Sequence, residues 1–293
     1  MNVSIVLFSP SGHTRKAALM FQEEFEKQKA AVNLLDMTKN EALFNTEELK
    51  NHLEEKLGDW DLLLVGGPLY AGHIESYVVK IIQALPGPQA GRKNLALPFV
   101  TYGGVHTSVA LQEMGRFLKK KGYKNIMGIK LAAKHTLTQT LSRIIYPERP
   151  GPEEEAVIRE GVHRCLALLL ENPSKIKDRS RALKCPSLKK RIFFKKFTQE
   201  KLHRDFKKVS IIEDKCIQCR KCIKACPLNI FGLKDGRVAM IKSQSTCILC
   251  AECFHNCPAG AIDHPYIEMA KKRLKDGHAP LEMPPSAIIP AAP

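Results

Sequence analysis

The sequence predicts an α/β protein: a doubly wound, five-stranded parallel sheet over residues 1–172, followed by a second and much smaller domain. Three observations lead there. Short aliphatic runs alternate with stretches of helical periodicity as far as residue 172, the pattern of strands joined by crossover helices. The composition changes sharply at Lys175. Eight of the ten cysteines then fall into a duplicated motif between residues 215 and 258.

The five expected strands are NVSIVLF (2–8), AVNLLD (31–36), DLLLVGG (61–67), NLALPFVTYGG (94–104) and KNIMGIKLAA (124–133). Amphipathic helices separate them. Over 106–121, Ala110, Leu111, Met114, Phe117 and Leu118 recur at helical spacing and Gly122 supplies the stop. A last helix is expected from Pro152 to Leu170 with Ile158, Val162, Cys165 and Leu169 inward, which makes Cys165 a core residue. Trp60, at the start of the third strand, reads as core. Residues 134–151 form an irregular stretch, read as a surface excursion in preference to a cover over the sheet's carboxyl edge.

At 293 residues and 44% apolar content the chain has room for about two cores. Its net charge of +16 is concentrated: residues 175–208 hold fourteen Lys or Arg against three Asp or Glu, with Phe193, Phe194, Phe197 and Phe206 interspersed. We read 173–208 as a basic, partly helical linker whose phenylalanines pack on one of the two domains. The small domain spans 209–277, and 278–293 is a Pro/Ala-rich tail expected to be disordered or extended. No apolar run is long enough for a transmembrane segment, and no leader-like segment precedes the first strand, so a cytoplasmic location is expected. Ten cysteines in that compartment point to metal ligands or reactive thiols over a disulfide framework.

KCIQCRKCIKACP (215–227) and TCILCAECFHNCP (246–258) match cysteine for cysteine. Each reads C-x2-C-x2-C-x3-C-P, the run of bacterial iron-sulfur ligation, in which the fourth cysteine serves the other half's cluster. Cluster one would take Cys216, Cys219, Cys222 and Cys257, and cluster two Cys247, Cys250, Cys253 and Cys226. Structural zinc is the alternative, although zinc sites usually gather two distant cysteine pairs. Cys185 is left over as a bystander thiol. The segment resembles the bacterial-type 2[4Fe-4S] ferredoxins, which implies a small α+β domain holding two [4Fe-4S] clusters that pass single electrons. Ferredoxins of this kind are commonly acidic, whereas Arg220, Lys221 and Lys224 crowd the first half here.

The turn FSPSGHTRK (8–16) lies between the first strand and first helix, where an open α/β sheet binds ligands and a helix start favours an anion. Its hydroxyls and single glycine suit a terminal monophosphate; neither G-x-G-x-x-G nor a P-loop is present. GGPLYAGHIE (66–75) and TYGGVHTS (101–108) follow the third and fourth strands and would converge beside it. Three such loops resemble the flavodoxin family. That resemblance implies FMN, with Ser9, Ser11, Gly12, His13 and Thr14 at its phosphate. Pro68, Leu69, Tyr70, Ala71 and Gly72, and Thr101, Tyr102, Gly103 and Gly104, would flank its ring. Tyr70 and Tyr102 are candidates to stack on the flavin, and His73 and His106 lie nearby. A flavodoxin-like domain followed by a two-cluster ferredoxin domain resembles a group of fusion proteins of anaerobic bacteria and archaea.

The expected function is an electron-transfer flavo-iron-sulfur protein that exchanges electrons with a redox partner protein, an acidic one if the basic charge is a dock. An FMN-dependent reductase of a small-molecule or nicotinamide substrate, fed by the clusters, ranks below it because no acid, base or nicotinamide motif is legible. Nucleic-acid or membrane binding through 175–208 ranks last, so no nucleic acid is expected as partner. Donor, acceptor and oligomeric state are not legible.

Overall fold

The computed structural model describes residues 1–88, 93–104, 109–139, 144–171, 176–196, 198, 200–201, 204, 208–275 and 284–290. His106, Phe197, Phe206 and parts of the linker and tail lie outside the described residues.

Among the described residues, the first domain is a sheet built from β1 (Asn2–Leu7), β2 (Ala31–Asp36), β3 (Leu62–Tyr70), β4 (His73–Ile74), β5 (Leu95–Tyr102), β6 (Lys124–Asn125) and β7 (Gly128–Ala132). Its long strands run parallel in the order β2-β1-β3-β5-β7. Alternation of side chains decides both faces. Val3, Ile5 and Leu7 point to the layer formed by α1 (His13–Lys27) and α5 (Pro152–Glu171), with Phe21, Phe25, Ile158 and Val162. Val6, Phe8, Leu63 and Val65 point to α2 (Thr46–Leu57), α3 (Ser76–Ala84) and α4 (Ala110–Lys120). Cys165 is fully buried and Trp60 is 7% exposed, both in the core.

This strand order is the flavodoxin-like doubly wound arrangement, which puts a crevice beyond the carboxyl ends of β1 and β3. Among the described residues the sheet has eight strands where five were expected: β4 is the return strand of a hairpin on β3, the fifth expected strand is divided into β6 and β7, and the eighth comes from the tail. Residues Ala287–Ile289 add antiparallel to the β7 edge, pairing Ile288 with Ile129. Ala287 and two isoleucines near prolines are too short to read as a strand, and the pairing is fixed from outside the segment. Ser286 Oγ accepts from Ala132 N at 2.7 Å and donates to Glu154 Oε1 at 2.7 Å.

The linker folds back over the first domain. Leu183 is 3% exposed, and it closes so tightly on α4 and β7 that a Cβ at Gly115 or Gly128 would meet it at 2.6 or 2.8 Å. The helix α6 (Leu188–Lys196) follows, anchored by buried Phe194 while Leu188, Ile192 and Phe193 stay exposed. Residues 208–275 form the second domain. A two-residue ladder pairs Ser210–Ile211 with Ile262–Asp263, and a hairpin pairs Phe231–Lys234 with Arg237–Met240. Asp235 and Gly236, at φ 51° and 75°, make the hairpin's two-residue turn.

Candidate functional site

The duplicated motif is duplicated in space. Short helices Lys221–Ala225 and Glu252–His255 occupy equivalent places, each preceded by a single 3-10 turn, Glu213–Lys215 and Gln244–Thr246. Backbone strain repeats as well: Gln218 and Arg220 have φ of 57° and 60°, and their counterparts Leu249 and Ala251 have 57° and 66°. Four non-glycine residues in the left-handed region cost roughly 1 kcal/mol or more each, and such strain persists where surroundings impose it.

The chain so bent lines two cavities. Cys216, Cys219, Cys222 and Cys257 line one, with Ile217, Arg220 and Val238. Cys226, Cys247, Cys250 and Cys253 line the other, with Ile230, Phe231 and His264. The fourth cysteine of each half thus crosses to the other half's cavity. Amides aim at the sulfurs: Ile230 N donates to Cys226 Sγ at 3.4 Å and Ala261 N to Cys257 Sγ at 3.2 Å. Among the described residues no three Cys, His, Asp or Glu side chains converge as ligands of a single ion do; the thiols stand around a volume instead. That arrangement, with N–H donors turned to sulfur, fits iron-sulfur clusters.

The two cavities differ in surroundings. Cys219 is exposed, and Ile217 beside it is 65% exposed. The second cavity faces the first domain. Lys39 N donates to Pro227 O at 2.8 Å, Asn229 Nδ2 to Glu41 Oε1 at 2.8 Å, Lys242 Nζ to Glu41 Oε2 at 2.6 Å, and Tyr77 Oη to Thr246 O at 3.4 Å. The Lys242 ammonium also lies 3.9 Å from the Phe44 ring centroid. Cys226, Leu228, Ile248 and Cys250 share one apolar core with Leu43, Tyr77 and Val78.

On the first domain, the three sequence-predicted loops meet at the crevice. Gly12, at φ 80°, turns the chain into α1 and brings no capping side chain of its own; Ser9 takes the Arg15 amide of the first turn, and the helix start favours an anion. Ser9 is buried and structural: its N–H donates to Thr38 Oγ1 and its Oγ accepts from Arg15 N, both at 2.9 Å. Thr14 Oγ1 pairs with Thr101 Oγ1 at 2.7 Å, tying the first loop to the third. Ser11 and His13 are half-buried at the turn. Burial pulls the His13 imidazole down to about 4, with the charges of Lys134 and Lys16 adding to the effect. Neutral histidine between two lysines suits a phosphate.

The second loop is a hairpin, Tyr70 pairing with His73 across Ala71 and Gly72 at φ 51° and 86°. Pro68 O accepts from Glu75 N at 3.1 Å, and Leu69 pairs with Ile74. Tyr70 lies within electrostatic reach of Cys250, Glu252 and Cys247, and burial raises its phenol well above the ordinary range. Tyr70 thus belongs to the second crevice loop and packs against the apolar core that also holds Cys226, Cys250 and Cys253. His73 is not solvated: its Nδ1 lies 2.8 Å from Glu113 Oε1.

The third loop differs from expectation in two respects. Tyr102 is 2% exposed with its hydroxyl donating to Pro284 O at 2.6 Å, so its ring supports the tail and is withdrawn from stacking. Residues 134–151 are no free excursion. A Cβ at Gly103 would lie 2.8 Å from the His135 ring, and one at Gly104 would lie 2.7 Å from Ile145 and 2.8 Å from Tyr146, so this stretch covers the third loop. Likewise a Cβ at Gly72 would lie 2.0 Å from the Phe194 ring, which places α6 on the second loop. Lys134, His135 and Tyr146 were missed because each arrives from a distant segment, and Phe194, expected to pack on one of the two domains, was not assigned to this loop; the trace was glycine at 72, 103 and 104.

Thr101→Val is expected to destabilise the chain by about 1–3 kcal/mol, because Thr14 keeps a buried hydroxyl with no partner. Thermal unfolding measures this, and an unchanged midpoint would show that the first and third loops are held by other contacts.

Residues 215–262 match the 4Fe-4S dicluster domain family. That segment is therefore a ferredoxin-type iron-sulfur domain, and an electron-transfer role is supported for it. More particularly, the chain joins a flavodoxin-like α/β domain to this ferredoxin-type domain. No curated protein matches the chain. Among solved structures, an NADH:FMN oxidoreductase in its apo form is 16% identical with TM-score 0.44, over 60% of this chain and 94% of its own. Flavodoxin 1 from Bacillus cereus is 13% identical with TM-score 0.39, over 57% of this chain and 98% of its own. The rubredoxin oxygen:oxidoreductase of the anaerobe Desulfovibrio gigas is 15% identical with TM-score 0.41, and the chain spans 37% of its length. Among the described residues no helix is long and apolar enough to cross a membrane.

Proposed function

We propose that the chain is an electron-transfer protein holding one FMN and two [4Fe-4S] clusters, which passes electrons between its flavin and an external redox protein. The observation that supports this most is the single apolar core that Cys226, Leu228, Ile248 and Cys250 share with Leu43, Tyr77 and Val78, against which Leu69 and Tyr70 of the second crevice loop pack. The α1 start with Ser11, Gly12, His13 and Thr14 would hold the phosphate. The hairpin 68–72 and residues 101–104 would flank the ring.

FMN, when bound, supplies an exchange between two-electron and one-electron chemistry, and clusters relay single electrons. The chain's part is to hold these groups close and dry. Cys226, Cys250 and Cys253, each 6–7% exposed, are walled in against the first domain, and the Tyr70 and Tyr77 side chains fill the gap. Cys219 sits at the open edge, with Lys215, Arg220 and Lys221 exposed around it, a surface suited to an acidic redox protein.

Anaerobically purified protein is expected to contain about eight irons and eight acid-labile sulfides per chain, with one FMN. Zinc in place of iron, or chains without flavin, would overturn the reading.

A further inference from the structure

One buried polar side chain has no role in the site described so far. His264 is 2% exposed, and neither ring nitrogen has a hydrogen-bond partner among the described residues. A buried imidazole left so costs about 1–3 kcal/mol, and a ring of this kind normally finds a partner. Phe254 meets the His264 ring edge-on and Tyr266 at a tilt, each with ring centroids 6.4 Å away, and His255 lies within electrostatic reach. His264 lines the second cysteine cavity together with Cys226, Cys247, Cys250 and Cys253. Besides the cysteines it is the polar side chain of that lining among the described residues.

We propose that His264 donates an N–H hydrogen bond to the sulfur of the cluster held in the second cavity, and so sets that cluster's reduction potential apart from the other's. The inference rests on the reading that both cavities hold [4Fe-4S] clusters. Hydrogen bonds to sulfur stabilise the more negative, reduced state, and they are among the factors that fix cluster potentials. The first cavity has no histidine: its one polar side chain besides the cysteines is Arg220, which is exposed, and Ile211, Ile217, Val238, Ala259, Ala261 and Ile262 complete the lining. The duplicated ligand pattern is thus given unequal surroundings, and the His264 contact raises the potential of the inner centre alone. His264 is a positioning and tuning residue; it is not a ligand, because the cavity already has four cysteines.

The test is an anaerobic redox titration of the full chain, followed by the electron paramagnetic resonance signals of the two reduced centres, in wild type, His264→Leu and His264→Gln. In His264→Leu, the reduced-to-oxidised ratio of one centre at fixed potential is expected to fall about tenfold, which is about 59 mV for a one-electron couple. The other centre stays where it was. His264→Gln, which keeps an N–H donor, is expected to restore most of the difference. Full iron and sulfide in His264→Leu with both midpoints unmoved, or both moved equally, would overturn the assignment. Wild-type protein without iron would instead overturn the cluster reading on which it rests.

Discussion

Cys250→Ala is expected to halve the iron, from about eight to about four per chain, while FMN stays bound. Cys250 lines only the cavity that adjoins the first domain, and its loss leaves the four thiols of the other cavity in place. The variant is expected to keep its flavin spectrum yet fail to pass electrons from flavin to an added one-electron acceptor protein. Because cluster binding is coupled to folding of the segment that makes the site, the second domain also loses stability. Cys185→Ala and Cys165→Ala are the controls, since neither thiol lines either cysteine cavity and Cys165 is fully within the first core. Iron and sulfide assays with stopped-flow absorbance make the measurement. Transfer at the wild-type rate in material with half the iron would remove the inner centre from the path.

The second large effect is one of pH. Glu75 follows the hairpin loop, is fully buried, and caps α3: Oε2 accepts from Tyr77 N at 2.8 Å and Oε1 from Ser76 Oγ at 2.7 Å. Burial outweighs these bonds and pushes its carboxyl up to about 7, from 4.5. Below pH 4.5 the group is protonated in folded and unfolded chains alike, so it adds no pH dependence. Between 4.5 and 7 the unfolded chain has lost a proton that the folded chain keeps, so rising pH favours unfolding. Above about pH 8 the slope vanishes. Integrated, the loss is about 3 kcal/mol. Denaturant unfolding at pH 5 and pH 8 should show this loss in wild type and its removal in Glu75→Gln. Equal pH dependence in the two proteins would place the effect elsewhere.

The legible and illegible parts of this molecule divide by the range of the contacts that decide them. Strand β1 was readable to within one residue, because a buried aliphatic run states its own burial. The cysteines were readable because ligation at C-x2-C-x2-C is a short-range requirement of the backbone. Glu75, by contrast, reads as an ordinary acid before a helix, and only the packing of β3 and α3 buries it. Phe194 was one of four phenylalanines in a basic run, and nothing local distinguishes the ring that meets Gly72 from its exposed neighbour Phe193. Tyr102 sits at a strand end beside two glycines whether its ring faces a ligand or the tail. The pairing of Ile288 with Ile129 decided which, from far along the chain.

That last pairing has a topological consequence. The polypeptide leaves the larger unit through α6 and, past the smaller one, comes back to complete its sheet, so the smaller unit is a loop fastened at both ends. A body tethered once can swing; one tethered twice, across an interface that already includes Lys39, Glu41 and Lys242, is held to a narrow range of separations. Donor and acceptor would then be set by covalent architecture, with no diffusive search between them.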